Sequence, residues 1–284
     1  MRQEDLDLTL DEPFIPFTPI KAFPKNEHGD VYPTKKCRSF DYEKEAKAIY
    51  RPKTFFFKLR RFFTRLTGIV VGHFVVYFRY HLKVEGRRIL KTHKRELKNG
   101  FLTVANHVFP IDCVAVTTIR HFRVPEFPVW QDGFESNQGA MFQAFGGFPV
   151  VKTPCGLEKA YQCMKDVLKE KKWLHVYPEA ACWYYYVPIR EFLNGTFRLA
   201  YEMDTPVFPL VFSFRKRTGF AKIFFPKEPL ITLRIGEPHY PDKSLEKSLA
   251  IVKLRDEVHL SMVHLEGITN EAKNAELKKR YSYR

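Results

Sequence analysis

The chain has 284 residues, 45% of them hydrophobic, with only 19 Pro and 14 Gly, which excludes a collagen-like or wholly disordered protein and leaves material for one main domain plus a smaller attachment. Lys and Arg number 47 against 32 Asp and Glu, a formal net charge of +15, and 27 residues are Phe. A surface this basic seeks anions, and so much phenylalanine beside it points to a membrane surface rather than to nucleic acid.

Five cysteines (Cys37, Cys113, Cys155, Cys163 and Cys182), with no CxxC pair, argue against a disulfide framework or a four-cysteine zinc site. A reducing compartment and no metal are the expectation. The acidic start, MRQEDLDLTLDEP, lacks an apolar core and does not read as a signal peptide. Residues 1–40 carry five prolines and little periodicity, so an irregular arm lying on the main domain is expected. Asp41 to Tyr50 reads as a short helix, ended by Pro52.

Residues 51–65, RPKTFFFKLRRFFTR, hold six basic side chains and five Phe, and no acid occurs from Arg51 to Lys83. On a helix Phe55, Leu59, Phe62, Phe63 and Leu66 share one face, while Lys58, Arg61 and Arg65 lie towards the other. The following apolar run, Leu66 to Phe78, is too short to cross a hydrocarbon core of roughly 30 Å. Residues 41–81 are therefore expected to be a helical membrane-interface motif, lying peripherally on the cytoplasmic face of an anionic membrane.

From Leu82 onward strands and helices alternate. The expected strands are Phe101–Ala105, Phe127–Trp130, Pro149–Val151, Trp173–Tyr177, Val207–Phe212, Lys222–Phe225 and Leu230–Ile235. The expected helices run from about Ile111 to His121, Asn137 to Phe145, Leu157 to Lys171, Phe197 to Met203 and Ser244 to Leu265. The pattern predicts an α/β domain over 82–268, with a central mixed sheet covered by helices, followed by a basic tail over 269–284 whose last residues, KKRYSYR, are expected to fray.

The most informative stretch is Val104 to Asp112, VANHVFPID. It joins a predicted strand to a predicted helix, where α/β sheets place their ligands. His107 and Asp112 lie five apart across a tight turn. A carboxylate beside an imidazole fixes its tautomer and makes it a competent general base. The spacing alone is a weak signal; its position in the chain gives it weight.

Other segments follow in a recognisable order. Val84-Glu85-Gly86 precedes the stretch. Gly146-Gly147-Phe148-Pro149-Val150-Val151-Lys152, then Val176-Tyr177-Pro178-Glu179, then Asn194 to Ala200 with Thr205 to Leu210 come after it. Together, from about residue 82 to 240, they resemble the motifs of the lysophosphatidic acid acyltransferase family, the PlsC-like glycerolipid acyltransferases with an H-x4-D motif. Lysine stands at the arginine position of the second motif. Ala180-Ala181-Cys182 stands where the third has Gly-Thr-Arg, and the aromatic run that follows is similar to a bacterial branch of the family.

The resemblance implies a glycerol-phosphate acyltransferase-like fold. It also implies transfer of a fatty acyl group from a thioester, acyl-CoA or acyl-carrier protein, to the hydroxyl of a lysophospholipid. No cofactor is implied beyond that co-substrate. His107 and Asp112 would be catalytic. Asn106, Lys152, Glu179 and Arg190 would meet the substrates, with Lys152 and Arg190 (or Arg198) on the acceptor's phosphate and Glu179 organising its pocket. The departures leave another lysolipid, an aminolipid or a glycolipid open as acceptor. A different class, a basic membrane- or nucleic-acid-binding protein without catalysis, predicts salt-sensitive polyanion binding and no thioester cleavage.

Overall fold

The strand Phe101–Ala105 (β2), apolar except for Thr103, is buried along its whole length, as expected of a strand covered on both faces. Around it the computed structural model describes residues 12–31, 54–120, 123–131, 134, 139–218, 221–225 and 227–283. The helix expected over Asp41 to Tyr50 lies outside the described residues.

Five strands form the main sheet: Lys83–Glu85 (β1), β2, Trp173–Val176 (β5), Val207–Arg215 (β6) and Leu230–Ile235 (β7), in the order β1-β7-β6-β2-β5. Neighbours are parallel except β6 and β7, so the sheet is mixed, as expected. Phe127–Trp130 (β3) and Gly147–Val150 (β4) pair in parallel as a separate two-stranded sheet. A single bridge from Glu126 to Leu174 ties it to the edge of the main sheet.

Alternation along the strands sends side chains to two cores. Phe101, Phe208, Phe212 and Leu233 face one, together with Val76 and Tyr80 at the end of the long helix Phe55–Phe78 (α1). Leu102, Val104, Val207 and Val211 face the other. There they meet the helices Pro154–Lys169 (α5), Gly195–Met203 (α6) and Lys247–Glu266 (α8). The helices Arg87–Thr92 (α2), Asp112–Thr117 (α3) and Gly139–Phe145 (α4) fill the connections on the way. Thr153 caps α5 by accepting from the Gly156 N–H, with Pro154 in the first turn, a pattern legible in the sequence.

Two glycines show how closely the layers meet. A Cβ on Gly72 of α1 would lie 2.5 Å from Val114 of α3, and one on Gly68 would lie 2.7 Å from the Phe145 ring of α4. No larger residue lets α1 seat so near the segment that carries Asp112.

Two expectations fail. Lys222–Phe225 is not a strand; Ala221–Phe224 forms a single helical turn (α7). Three apolar residues and a lysine suit either form. The C-terminal segment is not frayed. Glu271–Lys278 is a helix (α9), capped by Asn270, and Tyr281 and Tyr283 pack against Phe23 and Tyr186. The tyrosines in its basic run supply the anchorage that charge alone would not.

Candidate active site

Parallel register builds the site. Val104 of β2 is opposite Val176 of β5, so the residues that leave the two strands, Asn106-His107 and Tyr177-Pro178-Glu179, emerge side by side. This is the carboxyl end of parallel strands, where backbone leaving the sheet opens space for a ligand. Asn106 does not face that space. It is fully buried, donates Nδ2–H to the Phe212 carbonyl and accepts from the Phe212 N–H, which locks the end of β2 to β6.

His107 and Asp112 meet. The imidazole Nδ1 lies 2.5 Å from Asp112 Oδ2, and the His107 side chain keeps 27% of its surface exposed while Asp112 keeps 3%. Tyr177 was not anticipated. Its hydroxyl donates to the other carboxylate oxygen, Oδ1, at 2.8 Å. Its ring stacks on the imidazole with centroids 4.0 Å apart and planes 14° apart. Asp112 is thus held at both oxygens and His107 on one face. The signal in the sequence was a tyrosine where the resembled motif begins with phenylalanine.

The electrostatics follow from this pairing. Burial by itself would lower the His107 pKa, but the Asp112 carboxylate against Nδ1 holds it well above the ordinary value. Burial, reinforced by the Asp112 charge, keeps the Tyr177 phenol well above its usual range, so it stays a donor. Behind Tyr177 lies His175, fully buried and edge-on to the Tyr177 ring, with Nδ1 2.8 Å from the Thr103 hydroxyl. Burial, and then the charge on His107, push its pKa down to about 3, so it stays neutral.

Glu179 is also completely buried and supports His107 from the main chain. One carboxylate oxygen accepts from the His107 N–H at 2.9 Å and from the Arg190 guanidinium at 2.7 Å; the other accepts from the Arg190 N–H at 3.0 Å. Neither Glu179 nor Arg190 exposes its side chain. Arg190 also donates to the carbonyls of Glu27 and Ala181 and stacks 4.4 Å above the Trp183 ring. The fork expected to meet an acceptor's phosphate is turned inward. Removing one member of such a buried pair costs about 3–5 kcal/mol. Arg198 is exposed on α6 and pairs with Glu202.

The N-terminal arm closes over this turn. His28 Nδ1 lies 3.2 Å from the Glu179 carbonyl, and the Gly29 carbonyl accepts from the Trp183 indole. Glu27 pairs with Lys278 of α9, and Phe23 is buried against Trp183 and Tyr186. Ala180 sits at φ 63°, a left-handed conformation that favours glycine.

Lys152 stands apart and is mostly exposed. Its ammonium lies 4.8 Å above the Trp130 ring and 3.3 Å from Asp30. The Trp130 indole donates to the Ala180 carbonyl, which brings Lys152 to the edge of the third-motif turn. Cys182 places its sulfur near His107 and Asp112, with the three donor atoms within 4.8 Å of one another. Burial raises its pKa, which keeps it a neutral thiol. Within this group His107 Nδ1 and both Asp112 oxygens have protein partners.

A family model described as Acyltransferase matches residues 81–213, which contain all the motif segments from Val84 to Leu210. The solved structure of the 1-acyl-sn-glycerophosphate (LPA) acyltransferase PlsC from Thermotoga maritima is 17% identical. The alignment covers 80% of this chain and 97% of that one, with a TM-score of 0.42. No curated protein sequence matches the chain.

Proposed function

We propose that the protein, whose residues 81–213 match a family model described as Acyltransferase, moves a fatty acyl group from an acyl thioester to the hydroxyl of a lysophospholipid such as lysophosphatidic acid, with His107 as general base. The observation that carries the reading is the pair itself: a partly exposed imidazole, held by a buried carboxylate, at the open end of β2.

Nδ1–H of neutral His107 donates to Asp112, which leaves Nε2 as the base. Nε2 takes the proton from the acceptor hydroxyl as that oxygen attacks the thioester carbonyl carbon. The tetrahedral adduct then collapses, the C–S bond breaks, and the thiolate takes the proton back from Nε2–H. The products are an ester and a free thiol, and no acyl-enzyme forms. The His107 N–H is bound to Glu179, so a developing oxyanion must find its donors elsewhere.

A membrane-bound setting supports the same reading. Among the described residues no helix is long and apolar enough to cross a membrane. The outer face of α1 nevertheless exposes Phe55, Phe56, Phe62, Phe63, Phe74 and Phe78. Such a face suits a protein lying in the interface, where its acceptor and the acyl chain reside.

The test is turnover of radiolabelled acyl-CoA with a panel of acceptors. General-base catalysis is worth about 10²–10⁴ in rate, so His107→Ala loses at least that much while keeping its circular dichroism spectrum. A folded His107→Ala protein with near-normal turnover rules the base out. Lys152→Met raises the KM for a phosphate-bearing acceptor and leaves that for the donor unchanged; equal effects count against a phosphate contact there.

A further inference from the structure

The described residues contain a concave site whose lining includes none of the residues around His107. A cavity of about 500 Å³ lies between α1 and the end of the sheet where β2 and β5 begin. Phe101, at its floor, is six residues before His107, roughly 20 Å away at 3.3 Å per residue of strand. The size is that of a small-molecule pocket.

Its lining has two halves. Lys58, Arg61, Arg65, Arg123, Lys171 and Lys172 surround it, and Glu126 is the one carboxylate among them. Glu126 is buried and pairs with both Arg61 and Arg65 (to Arg65 at 3.5 Å), and Lys172 pairs with Glu170. Lys58, Arg123 and Lys171 have no ion pair among the described residues, and Arg61 keeps a buried Nε without a hydrogen-bond partner. Arg120 adds a further cation behind the wall, stacked on Phe101 and bonded to the Leu97 carbonyl. So many like charges around one concavity repel one another unless an anion sits among them.

The other half is apolar: Ile69, Phe101 and Trp173 in the floor, Phe62 and Leu66 at the rim. Phe62 and Leu66 also belong to the exposed aromatic face of α1, 61% and 44% accessible. The cavity is thus continuous with the surface proposed above to lie in a membrane. A free anion would use only the cations. A phosphate joined to apolar chains uses both halves.

We infer that this cavity binds an anionic phospholipid, its phosphate among Arg123, Lys171 and Lys58 and its chains running out over Phe62 and Leu66. The site is separate from the acceptor site and holds the protein on an anionic leaflet. The inference rests on the membrane placement of α1 and not on the catalytic assignment.

The test titrates the full chain, by calorimetry, with dihexanoyl phosphatidylglycerol and dihexanoyl phosphatidylcholine below their micelle concentrations, and with inorganic phosphate and coenzyme A. Expected is one saturable site for phosphatidylglycerol, with phosphatidylcholine at least tenfold weaker. Arg123→Ala with Lys171→Ala weakens the phosphatidylglycerol site about thirtyfold. Lys247→Ala with Lys253→Ala, the same charge change on α8, leaves it within twofold. Equal affinity for the two lipids, or equal losses in the two double variants, overturns the site. So does displacement of the lipid by inorganic phosphate or coenzyme A at lower concentration, which makes the cavity a free-anion or donor site. None of these readouts involves turnover, so they stand apart from the fate of His107 as base.

Discussion

The turn around His107 and the helix α1 both combine cations with aromatic rings, and they arrange them in opposite ways. At the turn, Arg190 is inside, Glu179 answers it, Trp183 covers it, and every one of them is buried. On α1 the aromatic face points outward, while Arg61 and Arg65, only 17% and 26% exposed, turn inward to Glu126. An ordinary amphipathic helix does the reverse. The first arrangement fixes a backbone by satisfying every charge. The second leaves apolar surface unsatisfied by the protein, which is what an interface with lipid requires.

Variants sharpen the contrast. The largest effect is expected from Asp112→Asn, which removes the charge that orients and raises His107. Turnover falls by about 10²–10⁴. The sign of the pH shift is fixed by the same charge. The base form of His107 appears as pH rises through its elevated pKa, so the acid limb of kcat/KM in the wild type lies above 6.5. Without the carboxylate, burial dominates and the limb moves down. Tyr177→Phe acts in the other direction. Losing one donor makes Asp112 a stronger partner, so the limb moves up, with a rate loss within about tenfold. Limbs that move together in the two variants break the proposed division of labour.

Next in size is the outer face of α1. Replacing Phe55, Phe62 and Phe63 by Ser lowers partitioning onto anionic vesicles by about 10²-fold, at about 1 kcal/mol for each ring withdrawn from the interface. Turnover on monomeric short-chain acceptor stays within twofold. An unchanged vesicle affinity makes the exposed rings a feature of the isolated chain alone.

The smallest effect is at Ala180. Its left-handed backbone costs an L-residue about 1 kcal/mol, so Ala180→Gly leaves turnover unchanged and raises Tm by a few degrees at most. A fall in Tm shows that the methyl group is packed more favourably than its backbone is strained.

Much of this was legible in the residues. Predominantly apolar runs gave β2, β6 and β7, since a strand buried on both faces admits few polar side chains. The strand–turn–helix context singled out His107 and Asp112, and the structure brings them together. The motif positions carried over from the resemblance were less reliable guides to orientation. Asn106 and Arg190 face inward to Phe212 and Glu179, and Glu179 grips the backbone of His107. Residue type names a hydrogen-bonding capacity; it does not say which neighbour will use it.

By itself the sequence determined the periodicities, the order of the motifs and the unusual union of Phe with Lys and Arg before residue 66, because these are properties of neighbours along the chain. Tertiary structure alone decided that Tyr177 would join the pair, that α1 would turn its arginines inward, and that the arm at Glu27 would meet Arg190 and Lys278. Those contacts join residues 65 to 251 positions apart. They depend on parallel register, in which β2 and β5 lie side by side only after the long crossover between them has packed, and no local preference encodes that.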